Sequence, residues 1–193
     1  MKGFSGASRR GAASREAILQ AAVRVIGREG LSGASLATVA AEATTSKPAV
    51  LYHFGSRERL LHEVASLAFG LYRGLLPTDD GQPTRARTEA TIAAIFAAEN
   101  RNLLMCVHEL IGLGMRDPAV AELMARSLDE VLQVPTRSLS FLGTDEARAV
   151  ARTLVMTIQG HVELWLCADP SDTKQFIESA TRAAIAIVPE AAR

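Results

Sequence analysis

Apolar residues in this chain return every three or four positions and form no strict alternation, a pattern that builds packed helices and no strands. Ile18, Ala21, Ala22, Val25 and Ile26 illustrate it: they fall on one stripe of a helix that starts near Ser14, an N-cap residue, and stops at Gly30. Composition agrees. Hydrophobic residues are 48% of 193, aromatics only 5%, and alanine, which costs least in a helix, is used throughout. The expected fold class is all-α. The most apolar window, 149–167, contains Arg152, His161 and Glu163, so it reads as a helix buried in protein and not in lipid. Arg9, Arg10 and Arg15 open the chain without an apolar segment after them, and Cys106 and Cys167 lack metal or redox spacing. A cytoplasmic, reducing setting is the expectation, with no membrane partner.

Three parts are expected: a flexible basic arm over 1–13, a small helical domain over 14–58, and a larger one over 59–193. In the small domain, Ser35 opens a short helix burying Leu36, Val39 and Ala40, and Thr44-Thr45 makes a tight connection. Ser46 opens a second short helix with Lys47 and Pro48 in its first turn, where proline costs nothing. Gly55 ends it, and Ser56 starts a long fourth helix. Pro77 and Pro83 bracket a polar linker. Helical stretches then follow near 84–100, 101–115, 118–134, 145–168 and 172–188, divided by Pro118, Pro135 and Pro170.

Charge divides along the chain although the total is zero. Through Leu60 nine Lys/Arg face four acids, a balance of +5; the rest carries twelve against seventeen, or −5. Such asymmetry suits a basic module for a polyanion joined to an acidic module with another task. Two short helices joined by a tight turn, the second with a polar and basic outer side, make a helix-turn-helix. The second helix fits the major groove of duplex DNA, with its first amides, Ser46 and Lys47 turned to phosphate.

The segment from Gly30 to Leu61, GLSGASLATVAAEATTSKPAVLYHFGSRERLL, resembles the signature of TetR-family transcriptional regulators. Matching positions are Ser35, Val39-Ala40, Ser46, His53-Phe54 and Ser56-Arg57-Glu58. The resemblance implies DNA contacts from Ser35, Thr45, Ser46, Lys47, Ala49, Tyr52, His53 and Arg57, with the Ala49 methyl against a base. His53 either faces the DNA backbone or packs beneath Phe54, and Arg9 and Arg10 either enter a minor groove or belong to a free tail. Three positions depart from the pattern. Thr44-Thr45 replaces Gly-Val in the turn, which strains a non-glycine residue if positive φ is needed. Leu51 stands where a tyrosine is usual, with Tyr52 one place later. Arg57 replaces a lysine, adding a bidentate fork.

The second half carries polar residues in apolar surroundings. Phe96, Asn100, Met105, His108, Met115, Gln159, His161 and Trp165 are the candidates for a ligand cavity, and the resemblance places such a cavity, sensing a small hydrophobic effector, between the fourth and eighth helices. Leu154, Ile158 and Val162 repeat at the same offsets as Phe176, Ala180 and Ala184, with Ile177, Ile187 and Val188 also on the second stripe. Two such helices pair either within the monomer or with a second copy in a four-helix bundle of C2 symmetry. No cofactor or metal is expected: His161 and Glu163 diverge on a helix and cannot hold one ion. Catalysis is not expected either, since His108/Glu109 and His161/Glu163 also diverge and neither a nucleophile elbow nor a glycine-rich phosphate loop is present. An architectural DNA-binding protein without an effector is the alternative, and it leaves about 130 residues of apolar helix without a purpose.

Overall fold

The structure is a computed structural model and describes residues 4–76 and 84–188; the expected 77–83 linker lies outside the described residues. Among the described residues the regular structure is helical: α1 Phe4–Gly33, α2 Leu36–Glu42, α3 Lys47–Phe54, α4 Arg57–Gly74, α5 Thr84–Ile95, α6 Arg101–Gly114, α7 Pro118–Ser138, α8 Thr144–Cys167 and α9 Thr173–Ile187. No helix among them is long and apolar enough to cross a membrane. Contacts divide the chain into two compact units, Met1–Gly70 with Asn102–Met124 and Leu71–Arg101 with Ala125–Arg193.

In the first unit, the stripe of Ile18, Ala21, Ala22, Val25 and Ile26 is buried with Val39, Val50, Phe54, Leu60 and Val64. Here α1 starts earlier than the capping signal at Ser14 suggests, so the backbone of 4–13, expected as a flexible arm, is helical. The segment contains no proline, and Ala7, Arg9, Arg10, Ala12 and Ala13 are good helix formers, so nothing local stops the helix from extending backward. At the other end Gly30 has φ 71° and ψ 176°, which breaks the helical path at the expected glycine. The corner that follows is held from two sides. The Leu31 N–H donates to Glu109 Oε2 of α6 at 2.9 Å, and the Leu31 carbonyl accepts from Arg57 Nη2 of α4 at 2.6 Å. Gly27 permits α6 to approach, because a Cβ there stands 2.1 Å from the Asn102 carbonyl oxygen.

The α2–α3 turn is a Schellman closure: Thr45 N–H donates to Ala40 O and Thr44 N–H to Ala41 O. The residue at its left-handed position is Thr44, with φ 52°. A β-branched residue in that region is strained by about 1 kcal/mol. Thr44→Gly is therefore expected to raise Tm by about 2 °C, the relief being reduced by the extra freedom glycine has when unfolded. A thermal melt that shows an unchanged or lower Tm contradicts the strain.

The second unit is built from α5, most of α7, α8 and α9, with α9 packed on α8 and α5. Two expected boundaries moved. The stretch 84–100 breaks at Ile95, where the Asn100 side-chain amide donates to the Ala94 carbonyl at 2.7 Å and closes the end of α5. Pro135 does not end α7, which continues to Ser138. Proline cannot give Val131 the bond its missing N–H would make, but its own carbonyl accepts from Leu139 N–H at 3.1 Å and the helix continues. At the end of α8, Arg101 donates to the Trp165, Leu166 and Ala168 carbonyls at 2.9, 2.9 and 3.1 Å, satisfying three exposed helix-end acceptors together. Its guanidinium lies 4.9 Å from the Trp165 ring centroid.

Candidate nucleic-acid interface and ligand cavity

Local chemistry positions α3. Ser35 caps α2 by accepting from Thr38 N–H at 3.0 Å, and Ser46 caps α3 by accepting from Ala49 N–H at 3.3 Å. Val50 and Phe54 are the buried side of α3. The Phe54 ring lies under the Arg15 guanidinium, whose ion pair with Glu63 ties α1 to α4. The other side of α3 is left outward: Ser46, Lys47, Pro48, Leu51 and Tyr52 are exposed, and Ala49 and His53 are half-buried. Tyr52 is 86% exposed, its ring meeting only the edge of His53 at 5.3 Å between centroids. A large aromatic kept in water on an eight-residue helix forgoes burial that its size favours.

Most of the DNA-contact candidates therefore share one solvent-facing strip: Ser46, Lys47 and Tyr52, flanked by Ala49 and His53, with Ser35 exposed on α2. Thr45 is half-buried in the turn. Arg57 is a correction. Its Nε donates to Ala34 O at 3.1 Å and its Nη2 to Leu31 O, so the fork expected on phosphate clamps the α1–α2 corner instead. A lysine has a point charge and cannot bridge two carbonyls in this way. Pro48 and Leu51 were not among the candidates, Leu51 being expected as an apolar contact of α3; both are exposed and lie between Lys47 and Tyr52 on the same strip.

The positive charge of the first third is also redistributed. Arg24 donates to Glu42 at 2.8 Å, and Arg28 pairs with Glu42 at 3.1 Å and with Glu29 at 2.8 Å. Hydrogen bonds from Arg24 first and Arg28 second hold the Glu42 carboxyl below the usual carboxylate range. These arginines serve the surface of α1 and α2. Nearer the α4–α7 side, His62 lies 2.7 Å from Asp117, and this contact depresses the Asp117 carboxyl, which also caps α7 through Ala119 N–H at 2.9 Å.

The second unit has a cavity of about 200 Å³ lined by Tyr72 and Arg73 of α4, by α5 from Arg87 to Ile95, by α7 from Glu130 to Ser138, and by Leu154, Val155 and Ile158 of α8. None of the eight ligand candidates lines it. Phe96 and Trp165 pack on each other with centroids 5.2 Å apart and are fully buried, and Trp165 Nε1 donates to Thr173 Oγ1 at 2.9 Å. Asn100 closes α5. His161 Nδ1 donates to Thr157 O at 2.8 Å, with Nε2 3.2 Å from Ser179 Oγ. Gln159 is half-buried. Met105, His108 and Met115 belong to the first unit; His108 is exposed and Met115 is 80% exposed. Polar residues amid apolar ones were read as anchors for a ligand; here Asn100 closes the end of α5, His161 spends a ring nitrogen on a carbonyl of its own helix, and Trp165 spends its N–H on Thr173.

The interface stripe is likewise corrected. Leu154, Ile158, Val162, Ala180 and Ala184 are buried within the monomer, and Ile177 and Ile187 are half-buried. They pack α8 and α9 together, and Leu154 and Ile158 also line the cavity. The outward side of α8 carries Met156, 48% exposed, Leu164, 65% exposed, and exposed Gly160 midway between them. These three are four residues apart, one above another on a single face.

Residues 18–64 match the family model described as bacterial regulatory proteins, tetR family. The nicotine-responsive HTH-type transcriptional repressor HdnoR of Paenarthrobacter nicotinovorans is 29% identical over 169 residues, covering 83% of this chain and 87% of that protein. A transcriptional regulator from Rhodococcus sp. Rha1 has the same fold, with a TM-score of 0.81 at 20% identity, covering 90% of this chain and 94% of that one. A TetR-family member from Streptomyces coelicolor A3 superposes with a TM-score of 0.73 at 24% identity, covering 92% and 99% of the two chains.

Proposed function

We propose that the chain is a regulator of the TetR family, a homodimeric repressor that binds a near-palindromic operator and is released by a small molecule. The observation that carries the DNA-binding part is the outward strip of α3, with Lys47 and Tyr52 in solvent on a helix anchored from behind by Val50 and Phe54. A rod of this length enters the major groove, where Lys47 and the first amides of α3 meet phosphate and Tyr52 reaches the floor or wall of the groove. Lys47→Ala is expected to weaken binding across all sequences and to reduce the slope of log K against log salt by about one. An unchanged slope, with altered preference at a single base pair, assigns Lys47 to a base.

The same reading places the dimer on the outer side of α8. Met156 and Leu164 are large apolar side chains with no cover in the monomer, and Gly160 between them allows two helices to approach closely. Two copies related by C2 symmetry then present α3 to half-sites about one helical turn apart.

Release needs an element shared by DNA-binding and ligand-binding parts, and α4 is continuous from Arg57, which clamps the α1–α2 corner, to Tyr72 and Arg73, which line the cavity. A ligand that prefers one position of this helix shifts the dimer between operator-competent and incompetent spacing; a few kcal/mol of differential affinity suffices. The nicotine-responsive relative supports a small molecule as the signal. Selection of bound fragments from the source genome tests the whole reading: a recurrent inverted repeat is expected, and fragments without common sequence favour an architectural role.

A further inference from the structure

Resting on the DNA-binding reading above, we propose that α3 reads each half-site by apolar contact, with Pro48 and Leu51 seated on the 5-methyl groups of thymines in two neighbouring base pairs. Helix geometry sets the frame. Val50 and Phe54 face inward, so the opposite side of this eight-residue helix belongs to Pro48 and Tyr52, with Leu51 and Ala49 on either flank. Pro48 is exposed, Leu51 is 37% exposed and Tyr52 86% exposed. A single leucine in solvent needs no explanation, but three such side chains side by side on a short helix leave a contiguous surface unburied.

The strip is poor in groups that read bases by hydrogen bonds. α3 contains no arginine, asparagine, glutamine, aspartate or glutamate, the residues that pair with guanine, adenine or cytosine edges in fixed geometry. Its one lysine, Lys47, stands in the first turn beside Ser46, at the edge of the strip where phosphate is met. The Ser46 hydroxyl already accepts from the Ala49 N–H, and the half-buried His53 ring stacks edgewise with those of Tyr52 and Phe54. That leaves the Tyr52 hydroxyl as the polar group at the centre, among side chains without donor or acceptor.

In the major groove thymine alone offers an apolar surface, its 5-methyl group. Guanine presents N7 and O6, cytosine its N4 amine, and adenine N7 and N6. Leucine or proline pressed against those polar edges removes their water and returns no hydrogen bond, whereas a methyl group gains burial at no such cost. Pro48 and Leu51 are three residues apart, about 4.5 Å along the helix axis, and base pairs stack about 3.4 Å apart, so the two side chains span adjacent pairs.

The test uses the full chain and duplexes with a randomised interior, enriched by repeated binding at one salt concentration. Recovered half-sites are expected to carry thymines, on either strand, at two adjacent base pairs. The best duplex is then resynthesised with uracil for thymine, which removes the methyl group and keeps the pairing. Each of those two replacements is expected to weaken binding about fourfold, the worth of one buried methyl, and replacement elsewhere less than about twofold. Pro48→Ala and Leu51→Ala are each expected to weaken binding of the thymine duplex by a similar factor and to lose sensitivity to uracil at one of the two positions. A thermal melt checks that both variants fold, and the uracil arm alters only the DNA, so it stands whatever their stability. Guanine–cytosine pairs at the centre of the recovered half-site overturn the proposal, as does indifference to uracil throughout or full methyl sensitivity retained in both variants. A common inverted repeat bound without methyl dependence removes the thymine contacts and keeps the operator reading, whereas enrichment of no common sequence removes both.

Discussion

Leu164→Asp is expected to give a folded monomer whose affinity for a two-half-site operator has fallen by about a hundredfold or more. Leu164 is 65% exposed on α8, so an aspartate there stays hydrated in the monomer and leaves the core alone. In the proposed dimer the same carboxylate is buried in an apolar patch without a partner. Losing the dimer converts two linked binding events into one, and linkage of that kind contributes about 10²–10⁴ in affinity. Sedimentation and an operator titration measure both parts, with circular dichroism confirming the fold. A dimer that survives the substitution moves the interface off this face of α8. Ala184→Asp makes the contrast: Ala184 is fully buried between helices of the same chain, so a charge there is expected to unfold the protein.

Tyr52→Ala is expected to lower operator affinity about tenfold to a hundredfold while changing stability by less than about 0.5 kcal/mol. Its ring is in solvent and contacts only His53, so the folded monomer has little to lose. In a complex, the same ring offers a large apolar face and a hydroxyl at low entropic cost, and its removal takes both away. Tyr52→Phe divides the two contributions: a loss similar to that of alanine assigns the contact to the hydroxyl. Full affinity in Tyr52→Ala contradicts an outward α3 as the recognition element. Phe54→Ala, two residues on, is expected to behave oppositely, with a loss of about 3–5 kcal/mol in stability because that ring is buried.

Ser35 and Ser46 show why the small helices were legible. A hydroxyl three residues before a free amide is a local arrangement, and the structure repeats both caps as the spacing foresees. The strain expected at Thr44-Thr45 appears as the positive φ of Thr44. Arg57, Asn100 and Trp165 show the opposite. Arg57 was singled out by its place in the motif, and Asn100 and Trp165 as candidates for a ligand cavity; each spends its polar group on a partner outside its own helix: the Leu31 and Ala34 carbonyls, the Ala94 carbonyl, and the Thr173 hydroxyl. Arg87, Thr88 and Ser138 were passed over, although they form the polar side of the cavity, because nothing in their neighbours distinguishes them from a solvated face.

Periodicity, caps and glycine stops act within one or two turns, so the amino-acid order by itself determined an all-helical chain, the α2–α3 pair and the outward residues of α3. Which side of α8 meets α9, which arginine seals a corner and which lines a cavity depend on helices far apart in the chain. A 3.6-residue repeat specifies that a stripe is buried but not against what, and only the packed structure supplies the neighbour.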